Sequence, residues 1–273
     1  MEVNTAGTNS PVAEKKGISG YGLKMIAVVT MLIDHTAATI LERILMQMQE
    51  AGIMETSTTY SILLMVYFVM RIIGRMAFPI YCFLLVEGFH YTRNRAKYAL
   101  RLFVFALISE VPFDMAFNQS FCSMSYNNVF LTLLIGLLTI WGIHESMARI
   151  PIEQDTGARR MGLGLLRTMV IVVILLAGSG LAQWLNTDYG ACGIIAIFIM
   201  YMLYRNPMLG FGTMVLELGL LGGIMEWAAF LMLIPMHFYN GTRGKQIKYF
   251  FYAFYPVHLL ILSLICYAMG LGI

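Results

Sequence analysis

From Thr168 to Leu185 the chain carries no charged residue, and from Tyr249 to Gly270 it carries no Asp, Glu, Lys or Arg. A helix needs about 20 predominantly apolar residues to cross a hydrocarbon core. Inside that core only helices and closed barrels satisfy every backbone N–H and C=O. Barrel strands alternate polar and apolar residues, and no stretch here alternates over a strand's length. An all-α polytopic membrane protein is therefore expected, built as a single bundle. Composition agrees: 59% of residues are hydrophobic and 12% charged, against roughly 25% charged in a soluble domain.

The apolar stretches are Tyr21–Met46, Tyr60–Phe89, Leu102–Phe117, Asn128–Trp141, Thr168–Leu185, Gly190–Tyr204, Leu209–Met236 and Tyr249–Gly270. Arg71, Arg75 and Pro79 interrupt the second, and Gly222-Gly223 divides the seventh. Lys and Arg gather in cytoplasmic loops, which decides how these stretches are counted. Basic loops hold Arg93, Arg95 and Lys97; Arg149, Arg159, Arg160 and Arg167; and Arg243, Lys245 and Lys248. Residues Gln47–Thr59, Asn118–Tyr126 and Asn186–Tyr189 contain no Lys or Arg. All basic loops share one side only if Tyr60–Phe89 crosses once and Leu209–Met236 is a hairpin. That gives about nine crossings (roughly 8–10), with the N-terminus cytoplasmic. Residues 1–17 are polar and are expected to be a disordered cytoplasmic tail. A bacterial cytoplasmic membrane is the expected location.

Other classes are excluded more simply. The net charge is +3, and no basic run is long enough to neutralise several phosphates, so nucleic acid is not an expected partner. Cys82, Cys122, Cys192 and Cys266 lie far apart without ligand spacing, so neither a metal nor a disulfide framework is expected.

Ionisable groups inside a bilayer are costly and mark functional sites by default. Asp34 and His35 fall midway along the first stretch, Arg71 and Arg75 one turn apart in the second, and Glu110 and Asp114 one turn apart in the third. Glu87 lies near the end of the second and His258 inside the last. Lys24 and His35 are eleven residues apart, so they share one face about 16 Å apart along the axis. A cation at the cytoplasmic mouth suits an anionic cosubstrate. A deep imidazole suits proton removal from a nucleophile. Adjacent residues diverge by about 100° on a helix, so Asp34 is poorly placed to orient His35; Glu110 or Asp114 on another helix is the better candidate. Arg71 and Arg75 would either neutralise a developing oxyanion or pair with Glu87 or Glu110.

The motifs are also familiar as a set. The chain reads Leu23-Lys24-Met25, Met31-Leu32-Ile33-Asp34-His35, Arg71-Ile72-Ile73-Gly74-Arg75, Glu87-Gly88 and Ser109-Glu110-Val111-Pro112-Phe113-Asp114. It continues with Asp188-Tyr189-Gly190, Asn240-Gly241-Thr242-Arg243-Gly244 and Tyr255-Pro256-Val257-His258. In this order they resemble the TraX family, named for the conjugative pilin acetylase, from Ile18 to Leu262. The resemblance implies residues 18–273 as one transmembrane acyltransferase-like domain within a wider membrane acyltransferase group. Acyltransferase-3 proteins of that group carry an Arg, ten residues and a His in the first span; Lys24 and His35 stand at those positions, Lys keeping the charge but not the bidentate fork.

What the resemblance implies is transfer of an acyl group, acetyl first, from cytoplasmic acetyl-CoA or another acyl-CoA to an acceptor hydroxyl or amine. The acceptor stays open: a peptide N-terminus, a sugar, a lipid headgroup or a metabolite. His35 would act as general base or transient acyl carrier, with Asp34, Glu110, Asp114, Arg71 and Arg75 around it. Lys24, Arg93, Arg95, Asn240, Arg243 and Lys245 would hold the cosubstrate, the glycine-containing turn before Arg243 offering backbone amides to an anion. Glu87, Asp188, Tyr189, Tyr255 and His258 would face substrate. The alternative is a proton-coupled transporter of a small polar solute using the same buried charges; no two-fold pattern in the hydropathy supports it.

Overall fold

The structure, a computed structural model, describes residues 16–53, 57–151, 157–245 and 247–272. Residues 1–15 of the expected tail lie outside that range, as does the side chain of Lys248. The described residues fold as an all-helical bundle without a strand. The first pass joins α1 (Gly20–Thr36) through a π-helical turn at Ala37–Leu41 to α2 (Glu42–Glu50). The second joins α3 (Thr58–Gly74) to α4 (Ala77–Tyr91). Then follow α5 (Arg95–Phe113) with a π-helical turn at Asp114–Asn118, α6 (Val129–Arg149), α7 (Gly157–Trp184), α8 (Gly190–Met202) and α9 (Pro207–Leu221). A 3₁₀ stretch at Ile224–Met232 leads into α10 (Leu233–His237), and α11 (Lys248–Ala268) closes the bundle. Among the described residues five passes are long and apolar enough to cross a membrane: Gly20–Glu50, Thr58–Tyr91, Val129–Arg149, Gly157–Trp184 and Tyr249–Ala268.

In a chain with so few charges, neutral side chains start the helices. Ser19 accepts from Gly22 N at 3.3 Å, Asn94 from Lys97 N at 2.8 Å, Asn128 from Phe130 N at 3.0 Å and Asn206 from Leu209 N at 3.3 Å. Each satisfies an N–H that the first turn leaves orphaned, a role in which Ser and Asn lead.

Tyr60–Phe89 is one pass, as the charge alternation requires, but it breaks at Arg75-Met76 rather than Pro79. Pro79 lies in the first turn of α4, where its missing N–H costs no hydrogen bond. Leu209–Met236 is a hairpin that turns at Gly222-Gly223, where Gly223 has φ 121°, and its return limb is mostly 3₁₀. Two expected loops are partly helical: α5 starts at Arg95 and α7 at Gly157, so Arg95, Lys97, Arg159 and Arg160 sit in first turns and Arg167 lies within α7. Arg and Lys are strong helix formers and can extend their heads beyond the apolar layer.

Loop contacts sort the passes into two ends. At one end Arg95 pairs with Glu145 at 3.1 Å, and Gly20 N and Tyr21 N donate to the Thr242 and Arg243 carbonyls at 2.7 and 3.0 Å. At the other, Asp188 N donates to the Asn127 carbonyl at 2.9 Å, and Arg43 donates to the Met115 and Ala116 carbonyls at 2.8 and 2.9 Å. The basic loops and the Lys/Arg-free loops thus occupy opposite ends.

Candidate functional site

Helix α1 runs between two polar regions. On one side is a cavity of about 660 Å³. Its mouth is set by Lys24, Arg93, Arg243 and Lys245, and Arg101 lies on its wall. Its floor is Met31, Tyr81, Phe130, Leu133 and Tyr255. Aromatic faces sit beneath the cations: Lys24 Nζ is 5.4 Å from the Phe251 ring centre, Arg243 5.2 Å from that of Tyr91 and Arg101 5.7 Å from that of Tyr98. Among the described residues the only carboxylate on the lining is Glu87, which accepts from the Tyr239 hydroxyl. Arg101 Nε is fully buried without a hydrogen-bond partner.

Below the floor lies His35. It does not line the cavity, but Met31 stands one turn above it and the Tyr255 ring meets it edge-on at 5.8 Å between centres. His35 Nδ1 is 2.7 Å from His258 Nε2, and His258 Nδ1 is 2.7 Å from the Phe254 carbonyl. A carbonyl can only accept. His258 Nδ1 therefore carries the hydrogen, its Nε2 accepts, and His35 Nδ1 must donate. The lone pair of His35 is thereby fixed on Nε2. This is the tautomer a general base needs, and it is set by His258, not by the expected Glu110 or Asp114.

Those two carboxylates are engaged elsewhere. Glu110 accepts from Asn128 Nδ2. Asp114 accepts from Asn118 Nδ2 at 2.7 Å and from Ser123 N at 2.7 Å, holding the turn after α5. Both acids thus serve the α5–α6 connection, Glu110 before Pro112 and Asp114 at the start of the π turn.

Asp34 lies on the other side of α1. Arg71 reaches it at 2.9 Å and Arg75 at 3.2 Å, and Arg75 also holds Glu226 at 3.1 Å. The arginines thus pair with Asp34 and Glu226, not with Glu87 or Glu110. The approach needs Gly74, because a Cβ there would lie 2.2 Å from the Asp34 carboxylate.

Of the expected cosubstrate residues, Lys24, Arg93, Arg243 and Lys245 meet in the cavity. Arg95 does not: Glu145, His144 at 3.1 Å and the Phe89 ring hold it. Asn240 folds its own turn instead, accepting from Thr242 N at 2.9 Å. The turn's carbonyls at Thr242 and Arg243 dock on the start of α1, and its Thr242 amide is taken by Asn240. Among the expected substrate residues, Glu87 and Tyr255 line the cavity and His258 backs His35. Asp188 and Tyr189 belong to the opposite end, where a shallow depression of about 300 Å³ is lined by Tyr126, Asn186 and Tyr189. Burial pushes the Asp188 carboxyl up from its ordinary range, against the opposing pull of the Tyr126 hydroxyl, which donates to it at 2.6 Å.

Sequence reasoning missed Arg101 and the aromatic walls Tyr98, Phe251 and Tyr252. An arginine directly before the third apolar stretch was the available signal, with Tyr98 three residues before it. Among the described residues no group of three or more His, Cys, Asp or Glu is arranged to hold a metal ion.

Fold and site together define a multi-pass helical membrane protein with a cation-rimmed cavity ending above a hydrogen-bonded histidine pair. The family profile described as TraX protein matches residues 19–266, and the chain belongs to that family. It is 27% identical over 269 residues, covering 89% of this chain and 94% of the relative, to the probable fimbrial assembly protein FimC, serogroup H1, of Dichelobacter nodosus. No solved structure matches the chain significantly.

Proposed function

We propose that this protein is an integral membrane acyltransferase that takes an acyl group from acyl-CoA at the basic, cytoplasmic end and passes it to an acceptor hydroxyl or amine. One observation carries the reading: five cations line a single cavity whose floor rests on His35. Lys24, Arg93, Arg101, Arg243 and Lys245 match a cosubstrate with several phosphates, and the aromatic faces beside them match its adenine. The acceptor O–H or N–H gives its proton to His35 Nε2 while its heteroatom attacks the thioester carbonyl. The tetrahedral intermediate expels the coenzyme A thiolate, which takes the proton from His35 as the ester or amide forms. His258 and the Phe254 carbonyl hold the imidazole in the tautomer this requires, and the Asp34–Arg71–Arg75–Glu226 network fixes α1 against α3.

The name of the similar fimbrial protein makes the N-terminal amine of a surface-fibre subunit the first acceptor to try, ahead of sugars, lipid headgroups and small metabolites. The transporter reading loses ground because Asp34, Arg71, Arg75 and Glu226 are committed to one another. Incubating membranes from cells with and without the protein with labelled acetyl-CoA decides between them. Protein-dependent release of free coenzyme A supports the enzyme; uptake of a solute without turnover supports the transporter.

A further inference from the structure

The cavity stops one helical turn short of the histidine it serves. Lys24, Met31 and His35 lie on one stripe of α1, at intervals of seven and four residues. Met31 is on the cavity lining and His35 is not. From Lys24 to Met31 the axis rises about 10 Å, and from Met31 to His35 a further 6 Å or so. The slab between floor and histidine is filled by the Met31 side chain, 7% exposed, and the Tyr255 ring, 3% exposed. Tyr255 therefore has one face on the cavity and one edge on His35, with Phe117 closing the far side at 5.4 Å from the imidazole. Phe130 packs edge-on against Tyr255 at 5.2 Å, and Leu133 completes the floor.

For reaction the thioester carbonyl must come within about 3–3.5 Å of a nucleophile that itself hydrogen-bonds to the base. That places the carbonyl where the Met31 side chain now packs against Tyr255, so the flexible thioether must swing aside to admit it. The acyl chain beyond it then points at side chains that are already close-packed, and interiors at that density do not yield a methylene freely. We infer that Met31 and Tyr255 set the acyl-chain length, admitting an acetyl group and rejecting longer chains. The inference rests on the acyl-CoA reading of the cavity and adds to it the residues that choose the donor.

The test compares kcat/KM for acetyl-CoA and hexanoyl-CoA in detergent-solubilised protein, with binding of each measured separately. One methylene in an apolar pocket is worth about 10–200-fold, so the wild type should favour acetyl by at least about 100-fold. Met31→Ala should reduce that preference by at least about tenfold, and Tyr255→Leu should do the same from the other wall. Met31→Leu, which nearly holds the volume, should keep the wild-type preference. Met31→Val makes a smaller cut and serves if the alanine variant does not fold. Binding and turnover with an unchanged preference in both walls would overturn this inference and leave the acyl-CoA site standing. Absence of binding by any acyl-CoA in the wild type would overturn the site, and the inference with it.

Discussion

His35 Nδ1 and His258 Nε2 are 2.7 Å apart, joining the first pass to the last across the membrane interior. Since the Phe254 carbonyl accepts a hydrogen bond from His258 Nδ1, this contact decides which His35 nitrogen can act as a base. His35→Ala and His35→Gln should each lose acyl transfer by about a hundredfold or more. His258→Ala should be milder, lowering kcat about tenfold while the KM for acyl-CoA stays put, because it frees the tautomer without removing the base. Near wild-type turnover in His35→Gln would make His35 a packing residue, since glutamine keeps hydrogen bonding but cannot shuttle a proton at neutral pH.

The cations of the cavity should act on binding before chemistry. Lys24→Ala, Arg101→Ala and Arg243→Ala are each expected to raise the KM for acyl-CoA several-fold with smaller changes in kcat. Added salt should raise the wild-type KM, since the contacts at the mouth are open to screening. Arg95→Ala is the discriminating comparison: its guanidinium is held by Glu145 and His144 away from the cavity, so its KM should stay within about twofold. Equal effects at Arg95 and Arg243 would point to general surface charge rather than a site.

What the sequence made legible follows a physical division. Helical class, the single crossing of Tyr60–Phe89 and the hairpin at Gly222-Gly223 depend on hydropathy and Lys/Arg placement, which are one-dimensional properties. The stripe shared by Lys24 and His35 depends on helix periodicity and was legible too. Partner choice was not, because it depends on how separate helices rotate against one another. Asp34 and His35 are neighbours in sequence, yet one faces Arg71 and Arg75 and the other His258. His258 lies 223 residues from its partner, and no local signal could join them. Asp188 and Tyr189 fell to the end opposite the cavity because the turn that carries them pairs with Asn127, not with the basic loops.

Sidedness rests on the arrangement of loops at two ends and can be tested without any activity. In a functional cysteine-light background, single cysteines replacing Asn94 and Arg159 should be shielded from a membrane-impermeant thiol reagent in intact cells. A cysteine replacing Gln119, near the Asp114 turn, should label from outside. Labelling of Asn94→Cys from outside would invert the bundle and put the cation-rimmed cavity on the wrong side for cytoplasmic acyl-CoA.

The ion network opposite the cavity should matter for stability more than for chemistry. Asp34 sits between Arg71 at 2.9 Å and Arg75 at 3.2 Å, and its residue is 6% exposed. Asp34→Ala would strip Arg71 of its ion-pair partner and leave Arg75 with Glu226. Breaking a buried pair from one side typically costs about 3–5 kcal/mol, which for a chain of this length corresponds to a fall in Tm of roughly 10 °C. Removing the stranded charge as well should recover much of that loss, so Asp34→Ala with Arg71→Met should melt above Asp34→Ala alone. Gly74→Ala should behave like Asp34→Ala, because its methyl would lie 2.2 Å from the carboxylate and force α3 off α1. Thermal unfolding in detergent, followed with and without acetyl-CoA, checks all three. If Asp34→Ala melts with the wild type and still loses acyl transfer, Asp34 acts on the chemistry and the network is not a brace.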